Sequence, residues 1–294
     1  MLCILFFFDK NFGMLKVSMS GSSGYIGSRI IKNFKSKKVL LTALVNKRLS
    51  KSNIIKKKFF FIDNKEKKNL FKEIDNPDIF VHLAWSNLHD HNSKEHFETE
   101  KKHYYFLKNL IDNGLKNLIV VGTCFEYGNK DVILKENLKI DKPITSYGIA
   151  KNNLRLRLLK LKKKKNFKFT WLRLFFVYGA EYKSKYQTNL WSDIISCEKK
   201  KKSFFYLTSG NQIRDYLHID KISKYIIKII LKNKSFGVVN VCSGKKFNLK
   251  KIVTMWKKKY NLKINFVFNR KQLKKHEPLK IIGSNSKLKK ILCS

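Results

Sequence analysis

The feature that most constrains the fold is a glycine-rich turn between an apolar segment and a helical pattern near the start of the chain. Residues 15–20 are mostly apolar, and the turn that follows at 21–27 reads GSSGYIG. Apolar residues then recur at helical spacing. Glycines so placed permit a tight turn and let the backbone approach a pyrophosphate at a helix N-terminus, although turns also use glycine for steric reasons alone. The pattern predicts a β-α unit that binds a dinucleotide.

The alternation of apolar segments and helical patterns continues to about residue 178. The further strands predicted in this part are 39–45, 59–62, 79–83, 118–122 and 169–174. The segments 79–83 and 118–121 are almost continuously apolar, as expected of central strands that helices cover on both faces. The sequence therefore predicts an α/β fold with a Rossmann-type, doubly wound parallel sheet.

After residue 178 the pattern changes to shorter elements, with helices predicted at 190–198, 219–231 and 249–258. We expect a smaller, interleaved substrate-binding lobe here. The predicted domains are an N-terminal extension at 1–13, an NAD(P)-binding domain at 14–177 and the lobe at 178–294. Parts of 210–241 are expected to return to the Rossmann sheet.

A formal net charge of +43 raises the question of a nucleic-acid partner. The 64 basic residues divide into 57 Lys and only 7 Arg, and the whole chain has 4 Ala. This bias indicates drift towards A/T-rich codons, since a dedicated phosphate reader would use more Arg. Lysine runs near predicted helix ends are typical of solvated faces, so no nucleic acid is expected as a partner.

The cysteines and the apolar start of the chain bear on its location. Five cysteines are scattered without a CxxC pair, and no His or acidic cluster has metal-ligand spacing. We therefore expect a reduced cytoplasm and no metal. Residues 1–8 are apolar but far short of the roughly 20 residues that span a bilayer, so no membrane insertion is expected.

The end of the second predicted strand bears on the choice of cofactor. An acidic residue about 20 positions after a glycine turn would hydrogen-bond the ribose of NAD, but here Val45 is followed by Asn46, Lys47 and Arg48. A basic end favours a 2′-phosphate, so NADP is predicted over NAD. Lys47 is equally well an ordinary surface charge, whereas Arg is scarce in this chain.

A second motif places Tyr147 and Lys151 one helical turn apart, on the same helix face. A nearby cation is expected to lower the pKa of the tyrosine, which could then exchange a proton with a carbonyl or carbinol oxygen. Thr123, just beyond a buried strand, adds a hydroxyl at the carboxyl edge of the sheet, where ligands bind. Together the three residues predict an oxidoreductase site.

With these motifs, the chain resembles the extended short-chain dehydrogenases, the NAD-dependent epimerase/dehydratase family. The resemblance covers nearly everything from Met14 onward and includes DIFVHLA at 78–84, LRLFFVYG at 172–179 and RDYLHID at 214–220. It implies Thr123, Tyr147 and Lys151 as catalytic residues and Arg214 as a partner of the substrate pyrophosphate. The cofactor-binding residues that it implies, together with those read from the turn and the strand end, are Gly21, Gly24, Tyr25, Ile26, Gly27, Asn46, Arg48, Asp63, Leu83, Ala84, Tyr147 and Lys151.

The segments GTCFEYG at 122–128 and HLAW at 82–85 resemble those of dTDP-6-deoxy-L-talose 4-dehydrogenases and related sugar-nucleotide reductases. Family dehydratases carry Thr-Asp-Glu where this chain has Thr123, Cys124 and Phe125, so the acid and base of dehydration are missing. The prediction is hydride transfer at C4 of a nucleotide-activated 4-keto-6-deoxyhexose, in precursor synthesis for a polysaccharide. Glu126 could contact a sugar hydroxyl, but it is as easily a structural acceptor for nearby backbone N–H groups, so it is not placed in the catalytic set.

Three alternatives stay open. A 4-epimerase uses the same three residues, although Phe176 replaces an asparagine common in galactose 4-epimerases. A basic RNA-binding protein of the same fold would use the net charge, and a silent cofactor-binding scaffold would have no turnover. By resemblance, a homodimer is expected through helices at 97–113 and 146–161.

Overall fold

The structure is a computed structural model that describes residues 14–36, 38–45, 56–59, 68–139, 142–180, 189–272 and 278–294. The helices in these ranges are α1 (Tyr25–Asn33), α2 (Leu70–Glu73), α3 (Glu95–Asp112), α4 (Ser146–Lys164), α5 (Leu190–Lys199), α6 (Ile219–Lys232), α7 (Leu249–Lys259) and α8 (Ser286–Cys293). A short 3-10 helix, Cys124–Tyr127, follows the fifth strand directly.

The strands fall into one large sheet and three small ones. The large sheet has the order β12-β7-β5-β4-β1-β2-β3, and every neighbouring pair in it is parallel. Its strands are β1 (Leu15–Ser20), β2 (Val39–Val45), β3 (Lys56–Phe59), β4 (Ile79–His82), β5 (Asn117–Thr123), β7 (Lys168–Leu174) and β12 (Gly237–Val241). The prediction of a doubly wound Rossmann sheet is confirmed. The strand predicted at 59–62 overlaps β3 only at Phe59, and its other residues lie outside the described ranges.

The central strands are buried on both faces, as their continuous apolar sequence predicts. Along β5, Ile119 and Val121 join a core with helices α1, α6 and α8, whereas Leu118 and Val120 join a second core with α2, α3 and α4. Successive side chains of a strand point to opposite faces, so one apolar strand serves both helical layers. Because β1, β4 and β5 are parallel neighbours, their carboxyl ends meet at one edge of the sheet.

Beside this edge, the smaller strands and two helices contribute to two further cores. The strands are β6 (Ile133–Leu134), β8 (Phe176–Tyr178), β9 (Phe204–Tyr206), β10 (Ile213–Arg214), β11 (Tyr216–His218), β13 (Phe247–Asn248), β14 (Asn265–Val267) and β15 (Lys280–Gly283). Helices α5 and α7 pack here through Trp191 and Trp256. Strand β12 pairs with β7 at the edge of the large sheet, but the domain boundaries themselves stay a prediction. In the described part of the chain, no helix is long and apolar enough to cross a membrane.

Candidate active site

The glycine turn connects β1 to α1 at the carboxyl edge of the sheet. Gly21 has a φ of +71°, and a Cβ there would lie 2.6 Å from the amide nitrogen of Ala84, in the segment after β4. Leu83 donates a backbone hydrogen bond to Ser20 at 3.2 Å. The glycine turn therefore packs directly against Leu83 and Ala84 at the end of β4. A side chain at position 21 would separate the turn from this segment.

The start of α1 fits the phosphates of a dinucleotide. Gly24 is the N-cap residue and brings no capping side chain to the helix end, so a phosphate could approach the N-terminus of α1 closely. Tyr25 and Ile26 present backbone amides at this turn, but their side chains point elsewhere. The Tyr25 hydroxyl donates to the carbonyl of Gly179, and Ile26 packs against the core that lies between the large sheet and helices α1, α6 and α8.

We expect Gly24→Ala to lower the affinity for the nicotinamide cofactor at least about tenfold, about 1.4 kcal/mol, with little loss of stability. The new Cβ would approach the protein no closer than 3.1 Å, at the carbonyl of Gly21, so it would mainly obstruct the ligand. A cofactor titration followed by intrinsic fluorescence measures the affinity. Gly27→Ala is the contrasting variant, because its Cβ would lie 2.2 Å from the same carbonyl and should also lower the melting temperature. An unchanged cofactor affinity in Gly24→Ala would contradict this role.

Three predicted cofactor-binding residues lie outside the described residues. These are Asn46, Arg48 and Asp63. Strand β2, which Asn46 follows, lies beside β1 in the sheet, so the chain leaves β2 next to the glycine turn. The cofactor preference that rests on Arg48 stays a prediction.

The structure brings Thr123, Tyr147 and Lys151 together. Thr123 ends β5, and Tyr147 and Lys151 lie on the first turns of α4, which Thr145 caps by accepting from the Gly148 amide at 3.1 Å. The Thr123 hydroxyl lies close enough to the Tyr147 phenol to lower the pKa of that phenol. The Lys151 ammonium donates to the carbonyl of Val121 at 2.8 Å and is buried.

The prediction of a lowered pKa for Tyr147 is wrong. Burial and, to a smaller extent, the Glu126 carboxylate raise the pKa of the Tyr147 phenol above its ordinary value, and the Thr123 hydroxyl offsets this only in part. Lys151 itself bears the cost of burial, which lowers the pKa of its ammonium to about 7, and the Glu126 carboxylate only partly counteracts this. The physical reason is that the two groups share a water-poor site, so each favours its neutral form. The phenol therefore holds its proton at neutral pH.

Glu126 is a structural acceptor, as one of the two interpretations of the sequence held. Its carboxylate is completely buried and accepts from the Thr123 amide at 2.8 Å and from the Trp171 indole at 2.9 Å. It also forms an ion pair with the buried Arg173 at 2.8 Å. A Cβ on Gly122 would lie 2.3 Å from this carboxylate, so the glycine makes room for it. Glu126 thereby fixes the end of β5 and the backbone of Thr123.

Arg214 lies on β10, among the smaller strands. It is buried, its guanidinium donates to the carbonyl of Ile213 at 3.1 Å, and it lies 5.3 Å from the ring centre of Phe176. The neighbouring Asp215 carboxylate accepts from Ser243 and Gly244 at 2.6–2.9 Å. These bonds hold the Asp215 carboxylate against the loop after β12.

A line of rings between Tyr147 and Arg214 was not predicted. The His91 ring is stacked on that of Tyr147 at 5.1 Å and contacts Phe125 at 4.9 Å. Phe125 in turn contacts Phe176 at 6.0 Å, and Phe176 contacts Tyr216 at 5.6 Å. We call His91, Phe125, Phe176 and Tyr216 the aromatic line. The sequence signal was present only in the departures at Phe125 and Phe176, where relatives carry polar residues.

Comparison with known proteins places this geometry in a family. Residues 17–242 match the model of the NAD dependent epimerase/dehydratase family. The chain belongs to this family. The match runs from β1 through the end of β12 and so includes the glycine turn, Thr123, Tyr147, Lys151 and Arg214.

Relatives of this epimerase/dehydratase family member cover more than nine-tenths of its length. The dTDP-6-deoxy-L-talose 4-dehydrogenase (NAD(+)) of Aggregatibacter actinomycetemcomitans is 26% identical over 92% of this chain and 100% of its own. The UDP-glucose 4-epimerase of Thermotoga maritima, solved with UDP-glucose, superposes with a TM-score of 0.78 at 20% identity, over 94% of this chain and 92% of its own. A UDP-glucuronic acid 4-epimerase mutant of Bacillus cereus, solved with NAD and a fluorinated substrate analogue, gives 0.80 at 18% identity, over 95% and 93%.

These comparisons confirm the predicted family, the predicted Rossmann fold and the prediction of an NAD-dependent enzyme of the epimerase/dehydratase type. They do not test the assignment of individual residues. The roles of Thr123, Tyr147, Lys151 and Arg214 therefore stay predictions.

Proposed function

We propose that the protein is an NAD(P)-dependent reductase, or reversible dehydrogenase, that transfers hydride to C4 of a nucleotide-activated 4-keto-6-deoxyhexose. The observation that carries this proposal is the buried Thr123–Tyr147 pair beside Lys151, at the sheet edge that holds the glycine turn. The relative that covers 92% of this chain is named as a dTDP-6-deoxy-L-talose 4-dehydrogenase (NAD(+)), which supports the same reaction class.

In this reaction the bound nicotinamide cofactor supplies the hydride. The carbonyl oxygen at C4 takes the proton of the Tyr147 hydroxyl as the C=O bond becomes C–O–H, and the Tyr147 phenolate remains. Burial of Tyr147 raises the pKa of its phenol, so the residue enters the step protonated. The Thr123 hydroxyl is placed to orient the carbonyl oxygen. The Lys151 ammonium, when charged, stabilises the phenolate that is left.

Dehydration is not favoured, because the positions that carry its acid and base are apolar. Cys124 is buried among apolar side chains, and burial raises the pKa of its thiol to about 12. Phe125 belongs to the aromatic line. The next acid along the chain, Glu126, is buried and bonded to Trp171 and Arg173. A reaction that needs only Thr123, Tyr147 and Lys151 fits this site better.

The aromatic line supports a 6-deoxy sugar. It runs from Tyr147, where C4 would react, towards Arg214, where the pyrophosphate would bind, so the hexose would lie along Phe125 and Phe176. Both rings are only partly buried. A methyl group at C6 packs favourably on such rings, whereas a hydroxyl or carboxylate would leave water without gaining a partner from them.

We expect Phe176→Asn to reduce the preference for a 6-methyl over a 6-hydroxyl substrate about tenfold or more, since one methyl in an apolar pocket contributes roughly 10- to 200-fold. The measurement is the ratio of kcat/KM for the 4-keto-6-deoxyhexose nucleotide and its 6-hydroxyl counterpart. Phe204→Asn is the matched control, because Phe204 is 51% exposed on β9. An unchanged ratio in Phe176→Asn would remove the aromatic line from substrate selection.

A 4-epimerase is the second candidate, since it uses the same three residues and the solved relatives are named as 4-epimerases. The two reactions differ in cofactor balance: a reductase oxidises one NADPH or NADH per sugar, whereas an epimerase consumes neither. Absorbance of the reduced cofactor with dTDP-4-keto-6-deoxyglucose and its 5-epimer decides between them. Strong, salt-dependent RNA binding with a dispensable Tyr147 would instead support the RNA-binding alternative.

Two further parts of the proposal concern cofactor choice and assembly. NADP is preferred on the basis of Arg48, although the relative that matches over its full length is named as an NAD(+) enzyme, so the absorbance assay is run with both reduced cofactors.

We also propose a homodimer through α3 and α4. Tyr105 on α3 and Leu156 on α4 are 54% and 43% exposed, which leaves apolar surface on both helices.

A further inference from the structure

Trp85 makes an unusual contact with the buried lysine of the site. It lies in the loop between β4 and α3, and the Lys151 ammonium nitrogen lies 3.8 Å from the centre of its ring. At this distance a cation is attracted to the negative face of the ring, most strongly when water is excluded. The second contact of that ammonium is the carbonyl of Val121.

A buried histidine fixes the orientation of Trp85. The indole N–H donates to Nδ1 of His96 at 3.1 Å, and Nε2 of His96 donates to the carbonyl of Asp90 at 2.9 Å. Because a carbonyl only accepts, His96 must carry its proton on Nε2, which leaves Nδ1 free to accept from the indole. Burial lowers the pKa of His96 and so favours this neutral form. Each contact from Asp90 through His96 and Trp85 to Lys151 therefore joins a donor or a cation to a group that can accept it.

The other groups around the lysine offer little charge compensation. The titratable groups near Lys151 are Glu126 from the 3-10 helix, His82 from β4, His96 and His103 from α3, and Tyr147 from its own helix. Burial lowers the pKa of His103 to about 3 and that of His82 well below its usual value. Both histidines are therefore neutral, and Glu126 is shared with Arg173.

We infer that Trp85, held in place by His96, is a positioning residue that keeps the ammonium of Lys151 charged and directed at the active site. The inference rests on the proposed role of Lys151 in the site. Its physical reason is that the ammonium is buried and has few other favourable contacts, so the ring face stabilises the charged form where burial opposes it. Trp85 itself needs no contact with the reacting atoms.

Trp85→Leu tests this inference. Loss of the ring face should lower the pKa of Lys151 by roughly half a unit to one and a half units, so the alkaline limb of the kcat/KM profile should move to lower pH by that amount. Trp85→Phe keeps a ring face without the N–H and should move the limb less. His96→Leu, which removes the acceptor of the indole, should give an intermediate shift.

A second readout does not depend on the sugar reaction. The dissociation constant of NADH and NADPH is measured between pH 6 and pH 9 for the wild type and the three variants. The onset of weaker binding should move to lower pH in Trp85→Leu by the same shift, because Lys151 would lose its proton earlier. If the wild type turns over none of the keto sugars, the proposed reaction is wrong, but the binding profiles still test Trp85. Unshifted profiles in folded Trp85→Leu and His96→Leu proteins would overturn the inference.

Discussion

Tyr147→Phe is expected to lower kcat for reduction of a 4-keto-6-deoxyhexose nucleotide by about 10²- to 10⁴-fold, the usual contribution of a general acid. The phenol is buried beside Thr123, and its raised pKa keeps the proton available for the carbonyl oxygen. Phenylalanine preserves the ring that stacks on His91, so the cofactor dissociation constant should change little. Stopped-flow oxidation of NADPH measures the rate, and fluorescence titration measures cofactor binding.

Tyr127→Phe is the matched control for this experiment. Tyr127 is also a buried tyrosine near the end of β5, but its hydroxyl donates to Asn240 at 2.8 Å instead of facing Thr123. Its loss should cost about 1 kcal/mol of stability while turnover remains within a few fold. Equal rates in Tyr147→Phe and the wild type would show that Tyr147 is not the proton donor. No turnover in either protein would instead favour the silent scaffold or the RNA-binding alternative.

Glu126→Gln should lower the free energy of unfolding by about 3–5 kcal/mol, the usual cost of removing one partner of a buried ion pair. The carboxylate and Arg173 are 0% and 1% exposed, so the guanidinium would remain buried without its counter-ion. The amide can still accept from Trp171 or Thr123, which makes charge the main quantity removed. Urea unfolding followed by tryptophan fluorescence measures the change.

An exposed pair on α3 provides the comparison. Glu98 bonds Lys101 at 3.0 Å, with side chains that are 63% and 56% exposed, and Glu98→Gln should cost less than about 1 kcal/mol. If Glu126→Gln were as mild as Glu98→Gln, the Glu126 carboxylate would not be the structural anchor of Thr123. Glu126 would then become a candidate for contact with the substrate.

The parts of the fold and site that could be predicted depend on local sequence patterns. The glycine turn needs small residues at fixed spacing, and β5 needs a continuous apolar run, so both are visible in the sequence and both are found. Parallel strands then bring the turn and Thr123 to one edge without further information. The helical spacing of Tyr147 and Lys151 likewise fixes their common face.

The contacts of Trp85, His91 and His96 could not be predicted in the same way. They come from the loop between β4 and α3 and the start of α3, whose packing against α4 has no periodic signal. The predicted direction of the pKa shift of Tyr147 was wrong for a related reason. Spacing reveals that a cation is near, but the pKa also depends on how much water the folded site excludes.

The most direct test of the central claim is the fate of deuterium from a reduced cofactor labelled at C4 of its nicotinamide. The protein is incubated with NADPH or NADH so labelled and with dTDP-4-keto-6-deoxyglucose or its 5-epimer, and the sugar product is examined by NMR. The proposed reaction predicts one deuterium at C4 of the hexose for each cofactor oxidised. A product without deuterium, with no net oxidation of a cofactor that binds well, would contradict hydride transfer to C4 as the reaction of this protein.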